Sequence, residues 1–189
     1  MTTTRQRFFL DAEDSVVVVI DIQERLCKAM DEAELARLTA NCGILLDAAA
    51  ELQLPVVATE QYVKGLGETV PELREKMAAA PRLEKMSFSC CGSSAFVEQL
   101  RTSNRRQIVI TGMETHVCVL QTVIELLDAG YSVHVVRDAV MSRASANRDT
   151  ALELMRQAGA VITCTESVLF QWLKLAGTDS FKKLSKLVK

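Results

Sequence analysis

Nine residues near the start, "SVVVVIDIQ" from Ser15 to Gln23, constrain this chain more than any other stretch. A strand with one face in water alternates apolar and polar residues. This run of Val and Ile does not alternate, so both of its faces must be covered. A parallel sheet with helices on both faces meets that demand, and the rest of the chain supplies the parts. "VVATE", "QIVITG", "SVHVVRDAV" and "AVITC" read as further strands, and "RLEKMSF" as a weaker one. Between them lie stretches of helical period. "DEAELARLTANCGILLDAAAELQLP" carries Leu35, Leu38, Cys42, Leu45, Ala49 and Leu52 on one stripe and ends at Pro55. "SSAFVEQLRTS" reads as a helix behind a Ser cap, and a helix starting near Thr115 is stopped by Gly130. "NRDTALELMRQAG" and "ESVLFQWLKLAG" complete the set.

Strands alternating with helices imply βαβ units. The predicted fold is one α/β domain, a three-layer doubly wound arrangement around a six-stranded parallel sheet. The expected organisation is a short N-terminal extension (1–13), the domain (14–177) and a basic amphipathic tail (178–189). The tail sets Phe181, Leu184, Leu187 and Val188 against Lys182, Lys183, Lys186 and Lys189. That pattern predicts a homo-oligomer in which the tail docks on a neighbouring copy.

Bulk properties narrow the function. A net charge of -2 over 189 residues gives no electrostatic footprint for nucleic acid. No apolar run approaches the roughly 20 residues that span a bilayer, so no membrane partner is expected. The opening "MTTTRQRFFLDAEDS" lacks the apolar core of a secretory leader, which points to the cytoplasm; its Thr and Arg content leaves a mitochondrial presequence as the alternative. Six scattered cysteines in a chain with a full core suit reduced thiols rather than a disulfide framework.

In doubly wound sheets ligands bind beyond the carboxyl ends of the strands. Asp21 closes the first predicted strand, Glu60 the second, and Lys85 lies near the end of the third. Gly112 to Cys118 follow the fourth, and Asp138 closes the fifth. An acid, an amine and a thiol therefore share one rim. With Thr115 as N-cap, Cys118 falls in the first turn of its helix, where unsatisfied N–H groups lower a thiol pKa. Each residue also has a structural alternative: Cys118 as buried filler, Asp21 as a helix cap, Lys85 as solvated surface.

Five stretches taken together, "VVVVIDIQERL", "VVATEQYVKGLGETVPEL", "EKMSFSCCG", "IVITGMETHVCVLQTVIELLDAGYSVHVVRDAVMSR" and "AVITCTESVLFQWL", resemble the isochorismatase-like cysteine hydrolases in order and spacing, from about Asp14 to Trp172. The superfamily includes nicotinamidases and carbamoyl-sarcosine amidases. The resemblance implies the strand order 3-2-1-4-5-6 and a catalytic triad of Asp21, Lys85 and Cys118. It also implies a cis peptide between Met113 and Glu114, and an oxyanion hole from the N–H groups of Glu114 and Cys118. A substrate pocket lined by Gln23, Glu60, Tyr62, Phe88 and Thr115 follows in the same way. The expected activity is hydrolysis of a small amide or related carbonyl through a thioester. Nicotinamidases hold a metal on an Asp and two His in the loop after the second strand; "TEQYVKGLGETVPEL" has no His, so no metal or other cofactor is expected. Two other readings stand beside this one. One is a ribonuclease, as a mitochondria-associated branch of the superfamily is labelled; the other is a non-catalytic interaction protein on the same fold.

Overall fold

The computed structural model describes residues 3–77 and 79–188. Six strands, β1 (Ser15–Ile20), β2 (Val56–Gln61), β3 (Arg82–Lys85), β4 (Gln107–Met113), β5 (Ser132–Met141) and β6 (Val161–Thr163), form one sheet. Their order is β3-β2-β1-β4-β5-β6 and every pairing is parallel. The unbroken apolar run explains the layering. Along β1, Val16, Val18 and Ile20 enter one core, while Val17 and Val19 enter the other. The first core is closed by helices Ser94–Ser103, Leu120–Asp128 and Ser145–Ala158, through residues such as Phe96, Val123 and Met155. The second is closed mainly by helices Glu32–Leu52 and Thr165–Leu173, through Leu38, Cys42, Leu45, Ala49 and Trp172. All of β1 is buried, as a central strand between two helical layers must be.

Several predicted boundaries move. β3 stops at Lys85 rather than running on to Phe88. The carbonyls of Ser87 and Phe88 turn back to accept from the Lys85 ammonium, at 3.2 and 3.0 Å, so the chain curls around the charge instead of continuing the ladder. Asp138 lies inside β5, not at its end. Its Oδ1 accepts from the N–H and hydroxyl of Thr165 at 2.9 and 3.0 Å, capping the last core helix from a neighbouring strand. Ser93 precedes the Ser94–Ser103 helix but makes no side-chain cap bond.

At the carboxyl end of β4, Gly112 has φ +118°, and a Cβ there would lie 2.0 Å from the Ile20 carbonyl oxygen. Only glycine lets β4 approach β1 so closely. That contact brings the segment after β4 against the end of β1.

The tail folds back on its own domain. A short helix, Asp179–Leu184, packs on the Glu32–Leu52 helix of its own domain. Leu184 is buried there, the Phe181 ring centroid is 6.3 Å from that of Phe170, and both Ser180 and Lys183 bond Glu51. Of the apolar stripe read from the tail, Leu184, Phe181 and Val188 pack on the core of the same chain, whereas Leu187 is exposed. A chain ending at Gly177 should therefore lose about 2–3 kcal/mol of stability, the value of one fully buried Leu with its partly buried neighbours. Urea unfolding measures this, and an unchanged midpoint would place the tail's packing outside the folded core's energetics.

His134, fully buried in β5, has no protein partner at Nδ1. Burial lowers its pKa from 6.5 to about 4, because the charged ring would lose its hydration. The folded pKa lies below the unfolded one. The stability from keeping this ring neutral is thus complete above pH 6.5 and is lost as pH falls through 6.5 toward 4. The loss should be on the order of 2 kcal/mol. Across that window the denaturation midpoint of the parent should fall relative to that of His134→Leu on acidification; parallel pH curves would contradict the assignment.

Candidate active site

Beyond Ile20 the chain leaves β1 by a left-handed step. Asp21 has φ 52°, a conformation that Asp tolerates better than most residues. Its N–H donates to the Thr59 carbonyl at 3.1 Å, which fixes the turn to β2. The Asp21 side chain is fully buried. Oδ1 accepts from the Thr59 hydroxyl at 2.8 Å, and Oδ2 accepts from Lys85 Nζ at 2.7 Å. Asp21 is therefore not a helix cap, and Lys85 is not solvated surface. The Lys85 ammonium reaches Asp21, Gln61 Oε1 at 2.7 Å and the two carbonyls of Ser87 and Phe88. Four acceptors share three protons, so a charge with no exposed side-chain surface is fully solvated by protein.

Cys118 enters from β4. The Met113–Glu114 peptide is cis. A single π-helical turn, Thr115–Val119, follows, and the α-helix proper begins at Leu120. The predicted Thr115 N-cap is absent: Glu114 holds the capping position, and the buried Thr115 hydroxyl has no hydrogen-bond partner. The Glu114 carbonyl accepts from Val117 and Val119 N–H at 3.0 and 3.2 Å. Its carboxylate accepts from Arg143 N and Nε at 3.0 and 3.1 Å, tying this turn to the end of β5.

The thiol of Cys118 is buried beside Asp21 and Lys85. Its pKa is pushed up to about 12, first by burial and then by the nearby Asp21 carboxylate, which the Lys85 charge opposes. The expected lowering at a helix start is overturned. Loss of hydration and the nearby carboxylate outweigh the ammonium, so the resting group is a thiol.

The other sequence-predicted residues divide. Tyr62 and Phe88 are 45% and 55% exposed, on the loops after β2 and β3. Gln23 is fully buried, and its amide bonds Gln61 N, Gln61 O and Gly67 O. Glu60 accepts from Thr69 N and Oγ1, both at 2.7 Å. The Gln23 amide and Glu60 Oε1 hold the loop after β2. Thr59, Gln61 and Arg143 escaped the sequence reading. A period-2 signal existed for the first two: residues two apart in β2 face the same way, and Thr59 pairs in register with Ile20, next to Asp21. Among the described residues, no three His, Cys, Asp or Glu side chains come together to hold a metal ion. None of the described helices is long and apolar enough to cross a membrane.

A family model described as the isochorismatase domain matches residues 15–167. The chain is 42% identical to a secreted isochorismatase effector of Phytophthora sojae, covering 100% of this chain and 90% of that protein. It is 38% identical to isochorismatase domain-containing protein 2 of Xenopus laevis, with the same coverage of 100% and 90%. Three solved structures superpose with a TM-score of 0.89. One is a MAR1 ribonuclease from Caenorhabditis elegans, at 36% identity, covering 95% of this chain and 92% of that one. The others are YcaC proteins. That of Pseudomonas aeruginosa, carrying covalent acrylamide, is 27% identical over 95% and 91% of the two chains. That of Escherichia coli, an octameric hydrolase of unknown specificity, is 26% identical over 95% and 90%. The strand order, the three-layer packing and a family match running from Ser15 to Ser167, in the first turn of the last core helix, agree: this chain belongs to the isochorismatase family.

Proposed function

We propose that this isochorismatase-family hydrolase cleaves a small amide or related carbonyl compound through a thioester on Cys118. One observation carries the reading. A single buried carboxylate, Asp21, pairs with the Lys85 ammonium at 2.7 Å at the same rim where the buried Cys118 thiol feels both charges. As Sγ attacks the carbonyl carbon, Asp21 takes the thiol proton. The raised thiol pKa suits this order, because the proton stays on sulfur until a carbonyl is in place. The N–H groups of Glu114 and Cys118 hold the oxyanion. Asp21 then gives its proton to the leaving nitrogen, the C–N bond breaks and an acyl thioester remains. Water, deprotonated by Asp21, attacks the thioester; acid leaves and sulfur regains a proton. Lys85 keeps the ensemble near neutral charge throughout. Tyr62, Phe88 and the free hydroxyl of Thr115 contact substrate, whereas Gln23 and Glu60 act through the loop they hold. The covalent acrylamide on the Pseudomonas relative, an amide electrophile, supports a nucleophile in this fold.

The name of the Caenorhabditis relative favours a second reading, RNA cleavage. A buried, internally neutralised ion pair offers little to a phosphodiester, which needs cations facing solvent. The octameric Escherichia relative supports a homo-oligomer here, and the unpaired cysteines support a reducing compartment.

Cys118→Ala and Asp21→Asn should each lower ammonia release from a panel of small amides by at least about a thousandfold, the scale of losing a nucleophile or its base. Chelation should leave the parent rate unchanged. An RNA-cleaving activity that survives both substitutions would detach that chemistry from this site; loss of amide turnover with EDTA, restored by zinc, would bring back a metal.

The thiol's resting state has its own signature. With a pKa near 12, the thiolate fraction rises about tenfold per pH unit. Alkylation of Cys118 by iodoacetamide, followed by mass spectrometry, should rise by that factor per unit between about pH 7 and 9. A rate already level near neutrality would mean a preformed thiolate.

A further inference from the structure

Gln61 belongs to none of the roles assigned so far, yet its four polar atoms are all engaged at the site. Its Oε1 accepts from Lys85 Nζ at 2.7 Å, the same distance as the Asp21 contact. Its Nε2 donates to the Met86 carbonyl at 2.9 Å. An ammonium has no acceptor and a carbonyl no donor, so chemistry alone fixes which end of the amide faces which partner. Its backbone N–H donates to Gln23 Oε1 at 2.7 Å, and its carbonyl accepts from Gln23 Nε2 at 3.0 Å.

Topology makes this a closed ring. Gln61 and Lys85 are the last residues of β2 and β3 and stand in register. Gln23 lies two residues beyond Asp21, after β1. The path runs from Asp21 along the chain to Gln23, across to Gln61, across again to Lys85 and back to Asp21. Two residues of β2 on the same face thus serve the two charges: Thr59 donates to the carboxylate and Gln61 accepts from the ammonium.

We infer that Gln61 is there to be neutral: it completes the acceptors around the Lys85 ammonium without drawing the positive charge away from Asp21 and Cys118, and Asp21 with the Ser87 and Phe88 carbonyls still holds the ammonium when Gln61 is replaced by an uncharged residue. A carbonyl oxygen orients the ammonium, whereas a carboxylate at the same place would compete with Asp21 and divert the positive field from the sulfur. The choice of Gln over Glu at this position is then functional and not merely a matter of shape. The inference rests on the reading of Cys118 as a nucleophile assisted by Lys85.

Acrylamide, a small neutral electrophile, tests it without a known substrate. Its alkylation of Cys118 is followed by mass spectrometry in the parent chain, Gln61→Glu, Gln61→Met and Lys85→Met, with thermal unfolding to show that each is folded. Gln61→Glu should slow Cys118 labelling about tenfold at every pH between about 7 and 9, the effect of roughly one pKa unit from an added like charge near Asp21. Gln61→Met, similar in length and uncharged, should stay within about threefold of the parent, since the ammonium keeps its full charge. Equal slowing in both variants would reduce Gln61 to a structural residue, and a Glu variant that labels like the parent would remove it from the circuit; either overturns the inference. Lys85→Met separates the two levels. If it slows labelling while Gln61→Glu does not, the nucleophile reading stands and only the role of Gln61 falls. If Lys85→Met labels as fast as the parent, or parent Cys118 takes no acrylamide, the underlying reading falls and the inference with it.

Discussion

An ion pair that sees no water governs this structure. Asp21 ends β1 and Lys85 ends β3, so their 2.7 Å contact spans β2 at the rim of the sheet. Burying two unit charges costs several kcal/mol per ion unless their remaining hydrogen-bonding capacity is met. Much of the local architecture meets it. Thr59 donates to the carboxylate, Gln61 accepts from the ammonium, and the chain after β3 bends to aim two carbonyls at the same group. The early end of β3 and the left-handed step at Asp21 are both local consequences of that demand.

The thiol is placed by a different constraint. Cys118 comes from the segment after β4, the neighbour of β1 on the other side, and Gly112 lets the end of that strand close on Ile20, next to Asp21. Three strands thus deliver three groups to one point. The electrostatics there are not those of a helix terminus. The thiol shares its surroundings with an anion already neutralised by a cation, and burial decides the balance in favour of the protonated form. Under the proposed thioester chemistry, such a site would hold its proton in reserve for a substrate, where a low-pKa thiolate would be open to any electrophile. Glu114, fastened by Arg143 to the end of β5, gives the turn carrying Cys118 a second anchor.

The candidate residues were legible because they sit at strand ends, and strand ends are visible as the points where apolar runs stop. Asp21, Lys85 and Cys118 could be placed on one rim from that alone, and the family pattern joined them. The residues around them were not legible. Gln23 reads as a polar residue near a cleft, yet its amide bonds backbone atoms of another loop. Asp138 reads as another rim acid, but it caps a helix that begins 27 residues later. The tail's amphipathic stripe was plain, whereas its partner was not: a stripe shows that something covers it, and Leu184 is covered by the Glu32–Leu52 helix of the same chain.

What the sequence determined by itself is therefore what local pattern can encode. Unbroken Val and Ile runs demand a sheet covered on both faces, and helical periods supply the covers. Only the tertiary structure decided which polar group meets which. Hydrogen-bond partners at this site come from strands remote in sequence, and no residue's type reveals its partner's address. The charge state of Cys118 belongs to the same class. It depends on depth of burial and on distances to Asp21 and Lys85, quantities that exist only once β1, β3 and β4 have closed around them.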